Sequence, residues 1–99
     1  MFRLKKTKYF LKWHDRLKDD RARMKIHFRL VQAELGNFGD FKSVGSGIYE
    51  MRIHYGPGYR IYYTKEDDIV VLLLVGGDKS TQQRDIEKAK ELKNEKKGC

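Results

Sequence analysis

The chain has 99 residues, enough for one domain around a single hydrophobic core and too few for two. It contains 22 Lys and Arg against 14 Asp and Glu, and this excess favours a polyanion or an acidic protein as the partner. The single cysteine, Cys99, excludes a disulfide framework. The longest apolar run, residues 69–75, is far shorter than the ~20 residues of a membrane span, and no apolar signal segment begins the chain. We therefore expect one domain over residues 1–99, located in the cytoplasm and without membrane contact.

The positive charge is concentrated in the first third of the chain. Residues 1–30 contain 11 Lys and Arg but only three Asp, whereas residues 31–99 contain 11 residues of each sign. A solvated helical face that keeps the protein soluble is one explanation. The imbalance favours nucleic acid binding instead, and the candidate RNA-binding residues are Arg21, Arg23 and Lys25.

A short strand and two helices are predicted at the start of the chain. Residues 2–6 alternate apolar and basic side chains, as in an edge strand. Thr7 is a suitable N-cap for a first helix, and Asp19 or Asp20 begins a second helix that stops at Gly36. We expect the two helices to form a hairpin over the core. Its predicted apolar residues are Phe10, Trp13 and Leu17 in the first helix and Ala22, Ile26, Leu30 and Ala33 in the second, with Phe28, Val31 and Leu35 widening the second face.

From Phe41 onward the apolar residues follow the two-residue period of β-strands. Residues 48–55 and 59–64 are predicted to form a β-hairpin around a Gly-Pro-Gly turn at residues 56–58. Each strand of this hairpin then has one apolar face and one polar face.

The predicted central strand is the continuously apolar segment 69–75, covered on both faces. Gly76 and Gly77 are expected to end it, and Ser80 with Gln83 to cap a last helix. The predicted order of elements is β-α-α-β-β-β-β-α. It corresponds to an α+β fold, with an N-terminal helical hairpin on a four- to five-stranded, mainly antiparallel sheet and a C-terminal helix.

The first candidate site is a pair of arginines on the polar face of the hairpin. If the turn spans three residues, His54 lies opposite Arg60 and Arg52 opposite Tyr62. Two guanidinium groups at that spacing can hold one phosphate, and an exposed Tyr62 can stack on a base. The alternative is a solvated outer face on which Glu50 or another acid pairs with the arginines.

The second candidate site is the segment 76–83, where two glycines and Lys79 precede a helix. A helix N-terminus with a lysine beside it attracts anions, although an ordinary turn and cap is the alternative. The segment lacks the spacing of a phosphate-binding P-loop. The three histidines, His14, His27 and His54, do not have metal-ligand spacing, so we expect neither a metal nor another cofactor.

Four segments of the chain resemble the HigB-like branch of the RelE/ParE toxin superfamily, and the likeness extends from about Thr7 to Leu92. The segments are residues 36–42 (GNFGDFK), 47–53 (GIYEMRI), 55–63 (YGPGYRIYY) and 72–82 (LLLVGGDKSTQ).

This resemblance implies a toxin that is neutralised by a helix-turn-helix antitoxin. In RelE and HigB members the implied activity is ribosome-dependent cleavage of mRNA. By position, Arg52 and Arg60 would surround the scissile phosphate, with Lys79 and Gln82 at the mouth of the same concave face. ParE members share the fold but inhibit DNA gyrase, so gyrase inhibition is the alternative function.

The proton-transfer groups are less clearly indicated. RNA is cut without a metal when a base deprotonates the 2′-hydroxyl, cations stabilise the transition state and an acid protonates the 5′-oxygen. His54 or Tyr62 can transfer a proton. RelE and HigB toxins carry a tyrosine or histidine close to the C-terminus, and this chain has neither after Tyr63.

Overall fold

The computed structural model describes residues 1–97, which form a five-stranded sheet with helices on both faces. The α+β class and the predicted order of elements are confirmed. The elements are β1 (Arg3–Lys6), α1 (Lys8–Arg16), α2 (Asp20–Glu34), β2 (Phe41–Gly45), β3 (Ile48–Ile53), β4 (Tyr59–Lys65), β5 (Val70–Asp78), a 3₁₀ turn (Lys79–Thr81) and α3 (Gln82–Lys97).

The strands are arranged in the order β1-β5-β4-β3-β2, and only β1 with β5 is a parallel pair among the described strands. Strand β5 is buried on both faces, as predicted, and is an interior strand between β1 and β4, although the middle strand of the five is β4. However, Gly76 and Gly77 do not end it, because β5 continues to Asp78. These glycines instead let two helices approach the strand. A Cβ added at Gly76 would lie 2.1 Å from the Trp13 ring, and one added at Gly77 would lie 1.9 Å from the carboxylate of Asp85.

The helical hairpin packs on one face of the sheet. The predicted N-cap Thr7 is confirmed, since it accepts a hydrogen bond from the Phe10 amide. The predicted start of the second helix at Asp19 or Asp20 is also confirmed: Asp20 is the first residue of α2, and Asp19 is its N-cap and accepts from the Arg21 and Ala22 amides. Trp13, expected in the core, is only partly buried. The prediction that Phe28, Val31 and Leu35 widen the core face is wrong: all three are exposed. The core of this face contains Phe10, Ile26, Met51, Ile61 and Tyr63, with smaller contributions from Ala22, Leu30, Ala33 and Ile53.

Helix α3 covers the opposite face of the sheet. There Ala89 of α3 packs with the sheet residues Ile48, Tyr62, Leu72 and Leu74 in a second apolar cluster. The expected capping pair of Ser80 and Gln83 is wrong. Because β5 extends to Asp78, this residue directly precedes the 3₁₀ turn, and its carboxylate accepts from the Ser80 amide in that turn. Asp78 and Thr81 form the capping box instead.

No helix in the described part of the chain is long and apolar enough to cross a membrane.

Candidate active site

The pairing of β3 with β4 places Arg52 directly opposite Arg60. The predicted register, with Arg52 opposite Tyr62, is therefore wrong by two residues. The cause is a longer loop: β3 ends at Ile53 and β4 begins at Tyr59, and hydrogen bonds within the loop hold it closed. A shift of two residues keeps every side chain on its face, so both arginines still point to the same side of the sheet.

A single buried carboxylate organises this face. Glu50 is fully buried on β3 and accepts hydrogen bonds from side chains of β3, β4 and α3. The donors are Arg52 Nε at 2.9 Å, Arg60 Nη1 at 3.0 Å, the Tyr62 hydroxyl at 3.0 Å and Gln82 Nε2 at 2.8 Å. Four of the six candidate catalytic residues are thus brought together around one group, which we call the Glu50 cluster.

The cluster has more positive than negative charge. Burial alone would raise the pKa of Glu50, but the hydrogen bonds from Arg52, Gln82 and Tyr62 and the charge of Arg60 outweigh it and lower the pKa. Glu50 is therefore ionised at neutral pH and pairs with both arginines, as the alternative interpretation expected. That interpretation is wrong in one respect: Glu50 and Tyr62 are fully buried on this face, and the solvated outer face is reduced to partial exposure of the arginines.

The two arginines differ in their access to solvent. The side chain of Arg52 is 29% exposed, whereas that of Arg60 is 13% exposed. In the described part of the chain Arg52 donates only through Nε, so its two terminal nitrogens remain available to a ligand. The Nε atom of Arg60 is buried without a partner among the described residues. The cluster therefore retains unused donors beside its accessible arginine.

Tyr62 does not lie on an exposed face, and the idea that it stacks on a base is wrong. Its ring is fully buried under α3 and its hydroxyl donates to Glu50. Burial and the neighbouring carboxylate raise its pKa well above the usual value.

His54 lies outside the Glu50 cluster, two residues beyond Arg52 in the chain, and lines the groove between α2 and the end of β3 together with Lys25 and Phe28. Its imidazole is exposed and forms a hydrogen bond with the carboxylate of Asp40. The backbone carbonyl of Asp40 accepts from the Arg52 amide at 2.9 Å, which fixes the pair beside the arginine. The hydrogen bond from His54 and the charge of Arg52 lower the pKa of Asp40. Sequence reasoning did not identify Asp40, because it lies 14 residues from His54 and precedes β2.

The segment 76–83 contributes a lysine and a cap. The Asp78 carboxylate accepts from the Ser80 amide at 2.8 Å, so this donor is already used within the turn, as in the ordinary-cap alternative. Lys79 is exposed and lies against the β3–β4 loop at Gly58. Asp85, one turn into α3, is buried against Gly77, and this burial raises its pKa.

The candidate RNA-binding residues lie on the other side of the sheet. Arg21, Arg23 and Lys25 are exposed on α2, where Arg23 pairs with Asp20 and Lys25 lies over the ring of Tyr55. The structure does not bring them together with the Glu50 cluster. Among the described residues, no group of three or more His, Cys, Asp or Glu side chains could hold a metal ion.

The family model of the phage-derived Gp49-like proteins (DUF891) matches residues 10–94. The chain belongs to this family. The Gp49-like family is of the RelE/HigB toxin type, so the resemblance found in the sequence is confirmed. A Haemophilus influenzae protein described as uncharacterized is 49% identical to the chain over 92 residues, which cover 93% of each protein.

Two solved structures from Escherichia coli share the fold of this Gp49-like protein. The isolated RelE toxin has a TM-score of 0.66 and 22% identity, covering 79% of this chain and 84% of RelE. The toxin in the intact RelBE toxin–antitoxin complex has a TM-score of 0.64 and 22% identity, covering 79% of this chain and 96% of that one. The comparisons give no support to the gyrase-inhibiting alternative.

Proposed function

We propose that this Gp49-like protein is the toxin of a type II toxin–antitoxin pair and that it cleaves mRNA on the ribosome without a metal. The observation that carries the proposal is the pair of opposed arginines held by one buried carboxylate, with the side chain of Arg52 partly exposed and its terminal nitrogens not hydrogen-bonded within the described residues. Membership of a RelE/HigB-type toxin family supports the toxin role. The likeness to the toxin of the RelBE complex supports a partner antitoxin.

In this proposal the exposed groups perform the chemistry. Arg52 binds the scissile phosphate and stabilises the charge that develops in the transition state. Lys79 adds positive charge at the edge of the site. The 2′-oxygen bonds to phosphorus as the bond from phosphorus to the 5′-oxygen breaks. His54, oriented by Asp40, either accepts the proton of the attacking 2′-hydroxyl or donates a proton to the leaving 5′-oxygen, and water takes part in the other transfer.

The buried groups hold Arg52 in position. Glu50 fixes the Nε edge of Arg52, and its remaining acceptor positions are filled by Arg60, Tyr62 and Gln82. Arg60 also supplies a second positive charge behind the phosphate. We therefore assign Tyr62 and Gln82 a positioning role, acting through Glu50.

The ribosome is needed because the site has cations but only one exposed proton-transfer residue. Holding the mRNA with its 2′-hydroxyl in line with the phosphate can contribute ~7–11 kcal/mol to catalysis. Arg21, Arg23 and Lys25 on α2 are suited to contact ribosomal RNA while the opposite face of the sheet receives the mRNA.

The test is to incubate the purified protein with translating ribosomes and to map the 5′ ends of the mRNA. We expect cuts that persist in EDTA and leave a 2′,3′-cyclic phosphate or 3′-phosphate, and slow or no cutting of free RNA. DNA gyrase supercoiling is assayed in parallel. Intact mRNA would contradict the proposal, and intact mRNA with inhibited supercoiling would establish the gyrase alternative.

A further inference from the structure

Helix α2 has apolar side chains on two opposite faces. Ala22, Ile26, Leu30 and Ala33 are buried against the sheet. A second set of apolar side chains lies on the solvent side of the helix. Three of them are spaced as i, i+4 and i+7, which places them on one helical face, and the fourth follows the last residue of the helix. This outer stripe consists of Met24, Phe28, Val31 and Leu35.

The outer stripe is strongly exposed: 71% of Met24 and 60% of Phe28 are accessible to solvent. Large apolar side chains that are grouped together on the surface of a small domain mark an interaction site more often than isolated ones do. A groove lies along each side of the stripe, about 810 Å³ between α1 and α2 and about 440 Å³ between α2 and the end of β3. Met24 and Phe28 line both grooves and form the ridge between them.

The charges around the stripe indicate what covers it. Arg21 and Lys25 form no ion pair within the described residues, so the edge of the stripe toward β3 is positive. The other edge is mixed, because the groove toward α1 contains Asp15, Asp20 and Arg23, and Arg23 pairs with Asp20. A symmetric contact with a second copy of this chain would bring Arg21 and Lys25 against like charges, which is unfavourable at an interface. A ridge of Met24 and Phe28 between two grooves fits the apolar face of a helix, and the unpaired cations require acidic residues along the edge of that helix that faces β3.

We infer that the outer stripe is the docking surface for an acidic amphipathic helix of the partner antitoxin. This inference rests on the proposed function for the identity of the partner. Its consequence is that the antitoxin covers Arg21, Arg23 and Lys25, which blocks contact with ribosomal RNA, and also reaches His54, which lines the groove between α2 and the end of β3.

The probe is the purified product of the reading frame adjacent to that of this chain. Its binding is measured by calorimetry and by stopped-flow association with the wild type, Phe28→Glu and Met24→Glu. The matched control is Ile69→Glu, because Ile69 is also an exposed apolar residue but lines neither groove. Melting temperatures confirm that each variant is folded.

We expect Phe28→Glu to weaken binding at least 100-fold and Met24→Glu at least tenfold, with Ile69→Glu within threefold of the wild type. Lys25→Glu should slow association about tenfold, and added salt should slow association of the wild type, since charge acts mainly on the encounter rate. Equal affinity for wild type and Phe28→Glu, or no binding of the probe, would overturn the inference. A wild-type dimer that Phe28→Glu dissociates would assign the surface to a second copy instead.

The cleavage assay separates this inference from the proposed function. Val31→Glu changes the stripe only in the groove toward α1, away from the groove that His54 lines, so it should still cut mRNA on ribosomes but escape inhibition by the probe. Arg52→Ala should bind the probe as the wild type does and not cut. If the wild type binds the probe through Phe28 but cuts no mRNA, the docking surface stands and the nuclease proposal fails.

Discussion

The two faces of the sheet are built from the same strands but perform different tasks. Toward α1 and α2, strands β3 and β4 present Met51, Ile61 and Tyr63 to an apolar core. Toward α3, the alternate residues present Glu50, Arg52 and Arg60 to a charged cluster. The first face stabilises the fold by burying apolar area. The second buries an ion pair, which adds little net stability but fixes the position of Arg52, the arginine that binds the phosphate in the proposed function. The residues that stabilise the fold and those proposed for the chemistry are therefore separated by the two-residue period of a strand.

The largest effect on stability should come from the apolar face. Phe10→Ala removes a fully buried ring and should lower the free energy of unfolding by about 4 kcal/mol. Phe28→Ala makes the same chemical change on the exposed side of α2 and should cost less than about 0.5 kcal/mol. Urea denaturation of both variants measures the difference. Similar losses in the two variants would show that the assignment of inner and outer faces to the helical hairpin is wrong.

A smaller loss is expected from the charged face. Glu50→Ala leaves Arg52 and Arg60 without their shared counter-ion, and we expect a loss of about 3 kcal/mol, since Arg52 is partly solvated. Glu50→Gln keeps the shape and should lose less. Neither variant should cut mRNA, because Arg52 is no longer held in place. Full cleavage by Glu50→Gln, measured on ribosomes, would contradict the positioning role of the carboxylate.

The smallest effects concern pH, and two carboxylates of the charged face should act in opposite directions. The pKa of Glu50 is lowered by folding, so its stabilising contribution is present above the unfolded pKa of ~4.3 and is lost as pH falls through the folded value. The pKa of Asp85 is raised by burial, so its contribution is present below the unfolded pKa of ~3.9 and is lost as pH rises through the folded value.

Melting temperatures between pH 3 and 8 test these signs. Glu50→Gln should flatten the loss of stability on the acid side. Asp85→Asn keeps an acceptor for the Thr81 hydroxyl and should leave the protein equally stable or more stable at pH 7, by less than about 1 kcal/mol. A clear loss at pH 7 in Asp85→Asn would show that its ionised form is needed.

Local chemistry made much of the fold predictable. Thr7 was identified as an N-cap, and Asp19 or Asp20 as the start of the second helix, because a cap depends on residues only two or three positions away. Strand faces followed from the alternation of side chains. The β3–β4 register was not predictable in this way, because it depends on the length of a loop, and the Gly-Pro-Gly sequence suggested three residues where the structure uses five.

The site was predictable only in part. Arg52 and Arg60 were found because they lie on the polar faces of adjacent strands. The contact between Glu50 and Gln82 joins residues 32 positions apart, and no local pattern indicates it. Phe28, Val31 and Leu35 of the outer stripe were misassigned to the core, because an apolar residue at helical spacing looks the same whether it faces the sheet or a partner.

The most direct test of the central claim compares two arginine variants in the ribosome cleavage assay. Arg52→Ala removes the accessible arginine of the Glu50 cluster on β3. The control, Arg3→Ala, removes an exposed arginine from the edge strand β1, which is three strands away from β3 in the sheet. Single-turnover cleavage should fall about 10²–10³-fold in Arg52→Ala, as when one transition-state donor is lost, and should stay within twofold of wild type in Arg3→Ala. Equal cleavage by the two variants, with both folded, would contradict the assignment of the α3 face as the active site.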